Sequence, residues 1–232
     1  SPSGDSYRGQ EKKYIDFSSK SFSWRFLEKP SFDKHLFPFL EKEFRVLDVG
    51  CGDGRVIEYL VSKGVEVKNI IGLDSNEELV SIAQGSFPEA RFIHSDISNP
   101  KLSFKNLDLI VSSMMFHHLD DKRWQKSLMA FHKWLNKRGI FFYIVTHPVR
   151  LVHRNLSEYF NRGWRKQRTP WGTEMLHFHR TLGDYLNSTL NAGFEIKVVD
   201  EPEPLRRGRA NPEQYKKYTS FPARLVVSAV KL

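Results

Sequence analysis

The chain has 232 residues, 40% of them apolar, and a formal net charge of +9 at pH 7. That length and apolar share suit one α/β domain with a modest lid, and no apolar run approaches the ~20 residues of a membrane span. Cys51 is the only cysteine, which excludes an internal disulfide. Nothing at the start resembles a signal peptide, so a reducing, cytoplasmic setting is the default expectation.

From Ser1 to Gln10 the residues are small, polar and glycine-bearing, the composition of a frayed end. Aromatic and polar residues then interleave in Tyr14-Ile15-Asp16-Phe17 and Phe22-Ser23-Trp24-Arg25-Phe26-Leu27. Glu28-Lys29-Pro30 leads into a helix expected over Phe32 to Glu41. The rings either pack on a sheet edge or form a cover over a site, residues 1–40 being the covering segment.

Next comes the stretch that organises the rest, Arg45-Val46-Leu47-Asp48-Val49-Gly50-Cys51-Gly52-Asp53-Gly54-Arg55. Its apolar opening reads as a strand buried on both faces, and Val56 to Val61 reads as the start of a helix. Glycine carries no Cβ, so a strand–glycine–helix turn lets a ligand approach the main chain closely. An ordinary αβ turn needs a glycine or two; three at alternate positions behind an acidic strand end go beyond that. A dinucleotide site needs a further glycine where Arg55 stands, and a phosphate loop needs Gly-Lys-Ser/Thr, which does not follow. Cys51 fills a place that wants a small side chain, and its packing role is favoured over a nucleophilic one.

This stretch resembles the first motif of the class I, Rossmann-like methyltransferases that use S-adenosylmethionine. The family pattern is an acidic residue followed by x-G-x-G-x-G, which Asp48, Gly50, Gly52 and Gly54 fill without a gap. The resemblance implies an α/β three-layer sandwich whose seven-stranded sheet is mostly parallel with the last strand antiparallel. Helices on both faces, an N-terminal cover and a cap after the fifth strand complete it. It implies S-adenosylmethionine as cofactor and S-adenosylhomocysteine as product. Small-molecule methyltransferases of this class also carry an aromatic segment with a Glu-Lys-Pro lead-in where Tyr14 to Pro30 stands, which makes Tyr14 and Trp24 candidate acceptor contacts.

Lys68 to Asp74 reads as a second buried strand. Asp74 falls ~20 residues past the glycines, where a carboxylate accepts from ribose hydroxyls in open α/β sheets. A helix carrying Leu79, Ile82 and Ala83 follows, and Ala90 to Ile93 is a short third strand. By the resemblance, Asp96 accepts from the adenine amino group and the backbone N–H of Ile97 meets a ring nitrogen. Cys51, Ser75, Ser113 and Met114 complete the expected cofactor set beside Asp48, Gly50, Gly52, Asp74, Asp96 and Ile97.

Leu107 to Ser113 reads as the fourth strand, expected beside the first because such sheets bind ligands at the switch in strand order. Phe116-His117-His118-Leu119-Asp120-Asp121 resembles the segment after that strand in many small-molecule methyltransferases. Trp124, Leu128, Phe131 and Leu135 then recur at helical spacing as core. Gly139 to Val145 is the fifth strand, where Asn136-Lys137-Arg138-Gly139 replaces the family's usual Lys-Pro-Gly-Gly.

From Val149 to Arg180 the chain is polar, aromatic and basic and too long for a plain connection, so it reads as a substrate cap at about 147–180 within a methyltransferase domain of 41–232. It contributes Trp171 and His179 as acceptor contacts. Thr181 to Asp184 resembles a capping box, opening a helix through Leu190 that Gly193 ends. Phe194 to Val199 and Ala223 to Val230 are the last strands, with a basic excursion between them.

In such a site a base takes a proton where the acceptor is a hydroxyl, an amine or an acidic carbon, and neutral histidine suits that task. His117 is the first candidate for acceptor contact or base, since it follows the fourth strand's end; His147 and His179 come next, and no metal is expected. The acceptor implied is a small molecule, anionic or aromatic. Basic residues gather from Arg154 to Arg168 and from Arg206 to Lys217, and Arg165–Arg168 and Arg206–Arg209 are expected to line or flank the substrate entrance. Two readings stand beside this one: a methyltransferase of RNA such as tRNA using the basic surface, and a cofactor-binding subunit without catalysis.

Overall fold

Short runs of valine, leucine and isoleucine build the centre of the molecule, which is a computed structural model describing residues 7–18 and 20–232. The first five strands are β1 (Val46–Val49), β2 (Ile70–Asp74), β3 (Arg91–His94), β4 (Leu107–Ser113) and β5 (Leu135–Thr146). A hairpin of β6 (Gly163–Arg168) and β7 (Glu174–His179) follows, then β8 (Phe194–Asp200) and β9 (Arg224–Lys231). Seven strands form one sheet in the order β3-β2-β1-β4-β5-β9-β8. All run parallel except β9, which is antiparallel to β5 on one side and β8 on the other. The chain leaves β1 toward one edge and returns to add β4 on β1's other side, so the strand order reverses between β1 and β4. The crevice at that reversal is where ligands of open α/β sheets bind.

The helices are α1 (Glu11–Ser18), α2 (Lys29–His35), α3 (Arg55–Ser62), α4 (Glu77–Ser86), α5 (Asp121–Trp134), α6 (Pro148–Val152), α7 (Leu182–Asn191) and α8 (Pro212–Thr219). Alternation along β5 divides the core into its two halves. Phe141, Tyr143 and Val145 join Trp124 and Phe131 of α5 and Tyr185 of α7 on one face. Phe142 and Ile144 join Phe32 and Leu36 near α2 and Val56, Ile57 and Leu60 of α3 on the other. Two caps close as their sequences dictate. Asp120 accepts from Arg123 N at 2.9 Å, and Thr181 and Asp184 form the reciprocal capping box of α7.

Three elements differ from expectation. Leu135, expected on the helix that carries Trp124, instead opens β5, which starts before the expected Gly139 because α5 stops at Trp134. The helix expected over Phe32 to Glu41 is instead α2, preceded by a π-helical turn at Trp24–Glu28 and followed by a 3₁₀ turn at Phe37–Phe39. Pro30 takes the first turn of α2, where its missing N–H costs nothing, while Pro38 cannot continue a helix. Of the expected frayed end, Ser1 to Ser6 lie outside the described residues. Tyr7 to Gln10, however, form a closed turn, Gln10 N donating to Tyr7 O at 2.8 Å. No helix among the described residues is long and apolar enough to cross a membrane.

Candidate active site

At the end of β1 the backbone turns through Gly50, Gly52 and Gly54 with φ of 76°, 53° and 94°, a region side-chain-bearing residues resist. Space opposes a side chain at all three as well. A Cβ on Gly50 would lie 2.5 Å from Met115 Cγ, one on Gly52 3.2 Å from the Tyr14 hydroxyl, and one on Gly54 3.0 Å from the Phe87 ring. Gly50 N and Cys51 N both donate to Leu73 O, at 2.7 and 3.1 Å, which fastens the turn to the end of β2. Asp74 completes the fastening by accepting from Gly52 N through Oδ2 and from Asn76 N through Oδ1, each at 2.9 Å.

A pocket opens above this turn at the β1–β4 reversal. Of the expected cofactor residues, Gly50, Gly52, Asp74, Ser75, Asp96, Ile97, Ser113 and Met114 line it. Asp48 and Cys51 lie beneath the wall, both buried. Burial, with the Cys51 thiol also near Asp48 and Asp74, raises the thiol's pKa far above its ordinary value, so it serves as packing. Asp48 is the more informative group. Its side chain is fully buried, neither carboxyl oxygen has a hydrogen-bond partner, and its pKa is pushed up to about 8 by burial first and by Asp74's charge second, with Arg55 opposing.

These features fit S-adenosylmethionine. The glycine cradle admits a ligand against main chain, and the unpaired acid beneath answers a ligand that carries an ammonium and a sulfonium. Carboxylates stand at the ends of β2 and β3, and Leu79, Ile97 and Leu119 supply apolar walls. Asp96 also holds its own turn, accepting from Ser98 N and Oγ at 2.7 and 2.6 Å, with Arg123 at 3.5 Å from its second oxygen.

A larger cavity of about 760 Å³ adjoins this pocket; Tyr7, Tyr14, Arg55, Met114 and His118 line both. Two of the segments expected to cover the site meet over it. Trp171 of the β6–β7 hairpin packs against Tyr7, Tyr14 and Phe17, with ring centroids 6.2, 5.8 and 5.3 Å away. Trp171 Nε1 donates to Gln10 Oε1 at 3.1 Å, and Ser18 Oγ donates to Asp53 Oδ2 at 2.8 Å. Tyr14, His117 and Trp171, three of the expected acceptor contacts, stand on the cavity wall.

Trp24, His147 and His179 do not. Trp24 lies under the Arg55 guanidinium, 4.4 Å from its ring centroid, and orients a residue that does line both spaces. His147 caps α6 by accepting from Val149 N at Nδ1 (3.1 Å), with Nε2 2.6 Å from Glu201 Oε1. His179 donates from Nε2 to Tyr159 O at 2.8 Å. The basic clusters divide likewise: Arg154, Arg165, Lys166, Arg168 and Lys217 line the cavity, whereas Arg207 and Arg209 stack on Phe26 and Tyr215.

Sequence reasoning missed three things here. One is Tyr7, hidden by a composition that suggested fraying. Another is a buried ion pair on the cavity wall between Arg224 and Glu28, at 2.6 Å across 196 residues of chain; its signal was an arginine set between Ala223 and Leu225. The third is the grouping of His177 with His117 and His118, ring centroids 4.3 to 4.8 Å apart, at the junction of the two spaces. Burial, as the largest cause, lowers the pKa of all three rings, His118 to about 4, so each is neutral near pH 7. His118 Nδ1–H donates to Leu176 O at 3.1 Å, which leaves Nε2 with a buried, unpartnered lone pair. His117 is turned the other way: its Nδ1 accepts from Thr146 N at 3.3 Å, so its proton sits on Nε2.

Comparison with known proteins fits this geometry. Residues 46–139 match the family described as "Methyltransferase domain". An uncharacterized protein of Haemophilus influenzae is 27% identical over 206 residues, 76% of each chain. The ubiquinone/menaquinone biosynthesis C-methyltransferase UbiE of Campylobacter jejuni is 28% identical over 106 residues, and the match spans only 44% of that enzyme's length and of this chain. Among solved structures, an S-adenosylmethionine dependent methyltransferase from Mesorhizobium loti superimposes with a TM-score of 0.75 at 23% identity, covering 92% of this chain and 99% of that one, which speaks for the fold.

Proposed function

We propose that this chain is a class I, Rossmann-like, S-adenosylmethionine-dependent methyltransferase and that it methylates a small anionic molecule held in the 760 Å³ cavity. The charge of the cavity wall carries the reading. Arg55, Arg150, Arg154, Arg165, Lys166, Arg168, Lys217 and Arg224 line it, and Glu28 is the one carboxylate among the described lining residues. Glu28 is already committed to Arg224. Arg150 is the best-placed receptor: its guanidinium lies 4.8 Å from the Tyr218 ring centroid, and Nη1 is buried without a hydrogen-bond partner. A buried guanidinium with an unused donor favours a carboxylate or phosphate.

When bound, S-adenosylmethionine supplies a methyl group activated by its sulfonium for in-line displacement. The protein's share is orientation and exclusion of water, and orientation by itself can supply roughly 7–11 kcal/mol in ideal cases. Tyr14 and Trp171 close the cavity toward the N-terminal segment and the hairpin. In this reading His117 meets the acceptor's reacting atom through Nε2–H, and His118 Nε2 is the lone pair open to its proton. A negative acceptor among these rings offsets the burial that keeps their pKa low, which couples proton uptake to acceptor binding.

A panel of carboxylated, phosphorylated and uncharged small molecules, scored by release of S-adenosylhomocysteine, tests the proposal. Turnover is expected with an anionic member, and Arg150→Ala should raise its KM at least ~10-fold while leaving cofactor affinity unchanged. Preference for uncharged acceptors overturns it. So does tight RNA binding with a steep salt dependence that Arg165→Ala and Arg168→Ala abolish, which would favour the nucleic-acid reading.

A further inference from the structure

We propose that His117, His118 and His177 form a binding site for a divalent transition metal, zinc being the best match, whose open coordination position faces the acceptor cavity. Each residue offers a ring nitrogen, and the three nitrogens lie within 4.8 Å of one another. Three imidazoles around a tetrahedral ion hold their nitrogens about 3.3 Å apart, so an inward movement of about 1.5 Å at most assembles the site.

The surroundings of the rings match those of metal ligands. His118 donates Nδ1–H to the Leu176 carbonyl, the arrangement that fixes a ligating imidazole and frees Nε2 for the ion. His118 Nε2 and His177 Nδ1 are both buried with no hydrogen-bond partner, an unusual state for polar atoms that a metal would resolve. His117 joins by moving its proton to Nδ1 and giving up the long 3.3 Å bond from Thr146 N. Neighbouring positive charge does not forbid a cation. Arg224 is neutralised by Glu28 at 2.6 Å, and Arg180 by Asp121 at 3.0 Å.

All three histidines line the acceptor cavity, so a three-coordinate ion would leave its fourth position open there. An oxygen or sulfur anion of the acceptor is the chemistry that position takes, and coordination would replace the need for a separate base. His117 and His118 follow β4, whereas His177 belongs to the hairpin, so the ion would also pin the hairpin to the sheet. The role in transfer rests on the anionic-acceptor reading above; binding of the ion does not.

The test is titration of this chelator-treated protein with Co²⁺ and Zn²⁺, followed by the Co²⁺ visible spectrum and by calorimetry. One equivalent is expected, with a four-coordinate Co²⁺ spectrum. His177→Ala and His118→Ala should each lower metal affinity at least ~10-fold. His177 is outside the cofactor pocket, so unchanged S-adenosylmethionine affinity in His177→Ala certifies its fold. Absence of stoichiometric binding by the wild type, or wild-type metal affinity in a folded His177→Ala, overturns the proposal. Neither result bears on the Arg150→Ala measurement, so failure of the metal site is distinguishable from failure of the anionic acceptor.

Discussion

Near pH 7, binding of S-adenosylmethionine should displace close to one proton from the protein, and that proton should come from Asp48. With its pKa at about 8, the buried carboxyl is roughly nine-tenths protonated at neutral pH. A cationic ligand above it favours the ionised form, so binding drives the proton off and affinity should rise up to ~10-fold per pH unit below pH 8. The cofactor-free protein obeys the opposite slope. Between 3.8 and about 8 the group is protonated in the fold and ionised in the unfolded chain. Its stabilising contribution is therefore complete below that window and lost as pH rises through it, by an amount on the order of 5 kcal/mol at most. Calorimetry in buffers of different ionisation enthalpy counts the protons released, and melting curves against pH report the stability. Asp48→Asn should abolish both dependences. An unaltered pH slope in that variant, or no proton release by the wild type, would refute the reasoning.

Other substitutions separate the parts of the site. Asp74→Ala should weaken cofactor binding by about 1.5–3 kcal/mol, read by calorimetry, since it removes a charged acceptor and the group that holds Gly52 N and Asn76 N. Gly50→Ala should lower both melting temperature and cofactor affinity, because its Cβ meets Met115 at 2.5 Å with the backbone at φ 76°. Its damage should exceed that of Gly85→Ala, where a Cβ meets nothing within 4 Å. His117→Ala should leave cofactor affinity intact and slow single-turnover transfer by ~10²–10⁴; an unchanged rate would remove this ring from the reaction.

Local chemistry wrote much of the fold into the sequence. Near-continuous apolar runs marked the sheet strands, glycines at alternate positions marked the turn after β1, and Thr181 with Asp184 marked the start of α7. Each signal acts within a few residues, through Cβ sterics, hydrogen bonding or burial of one segment, and needs no distant partner. Prolines act locally as well: Pro30 suits the first turn of α2 and Pro38 cannot continue a helix, so α2 lies earlier than the helix expected over Phe32 to Glu41. The carboxylates at Asp74 and Asp96 were legible because the order of a parallel sheet delivers successive strand ends to one edge.

The acceptor side was decided in three dimensions. Whether a histidine faces a cavity depends on packing between segments far apart in the chain. His147 and His179 spend their rings on Glu201, Val149 and Tyr159, whereas His177, one alternation before His179 on β7, reaches His117 and His118. Tyr7 gained its place by stacking on Trp171, and composition alone cannot distinguish that from a loose end. The unpaired state of Arg150 is likewise tertiary: the sequence supplies the charge, and the fold alone decides that no carboxylate arrives beside it among the described residues. Spacing along the chain fixes which groups share a strand or a turn; which groups share a cavity is fixed by packing across the molecule, where burial sets their protonation and their unused hydrogen bonds.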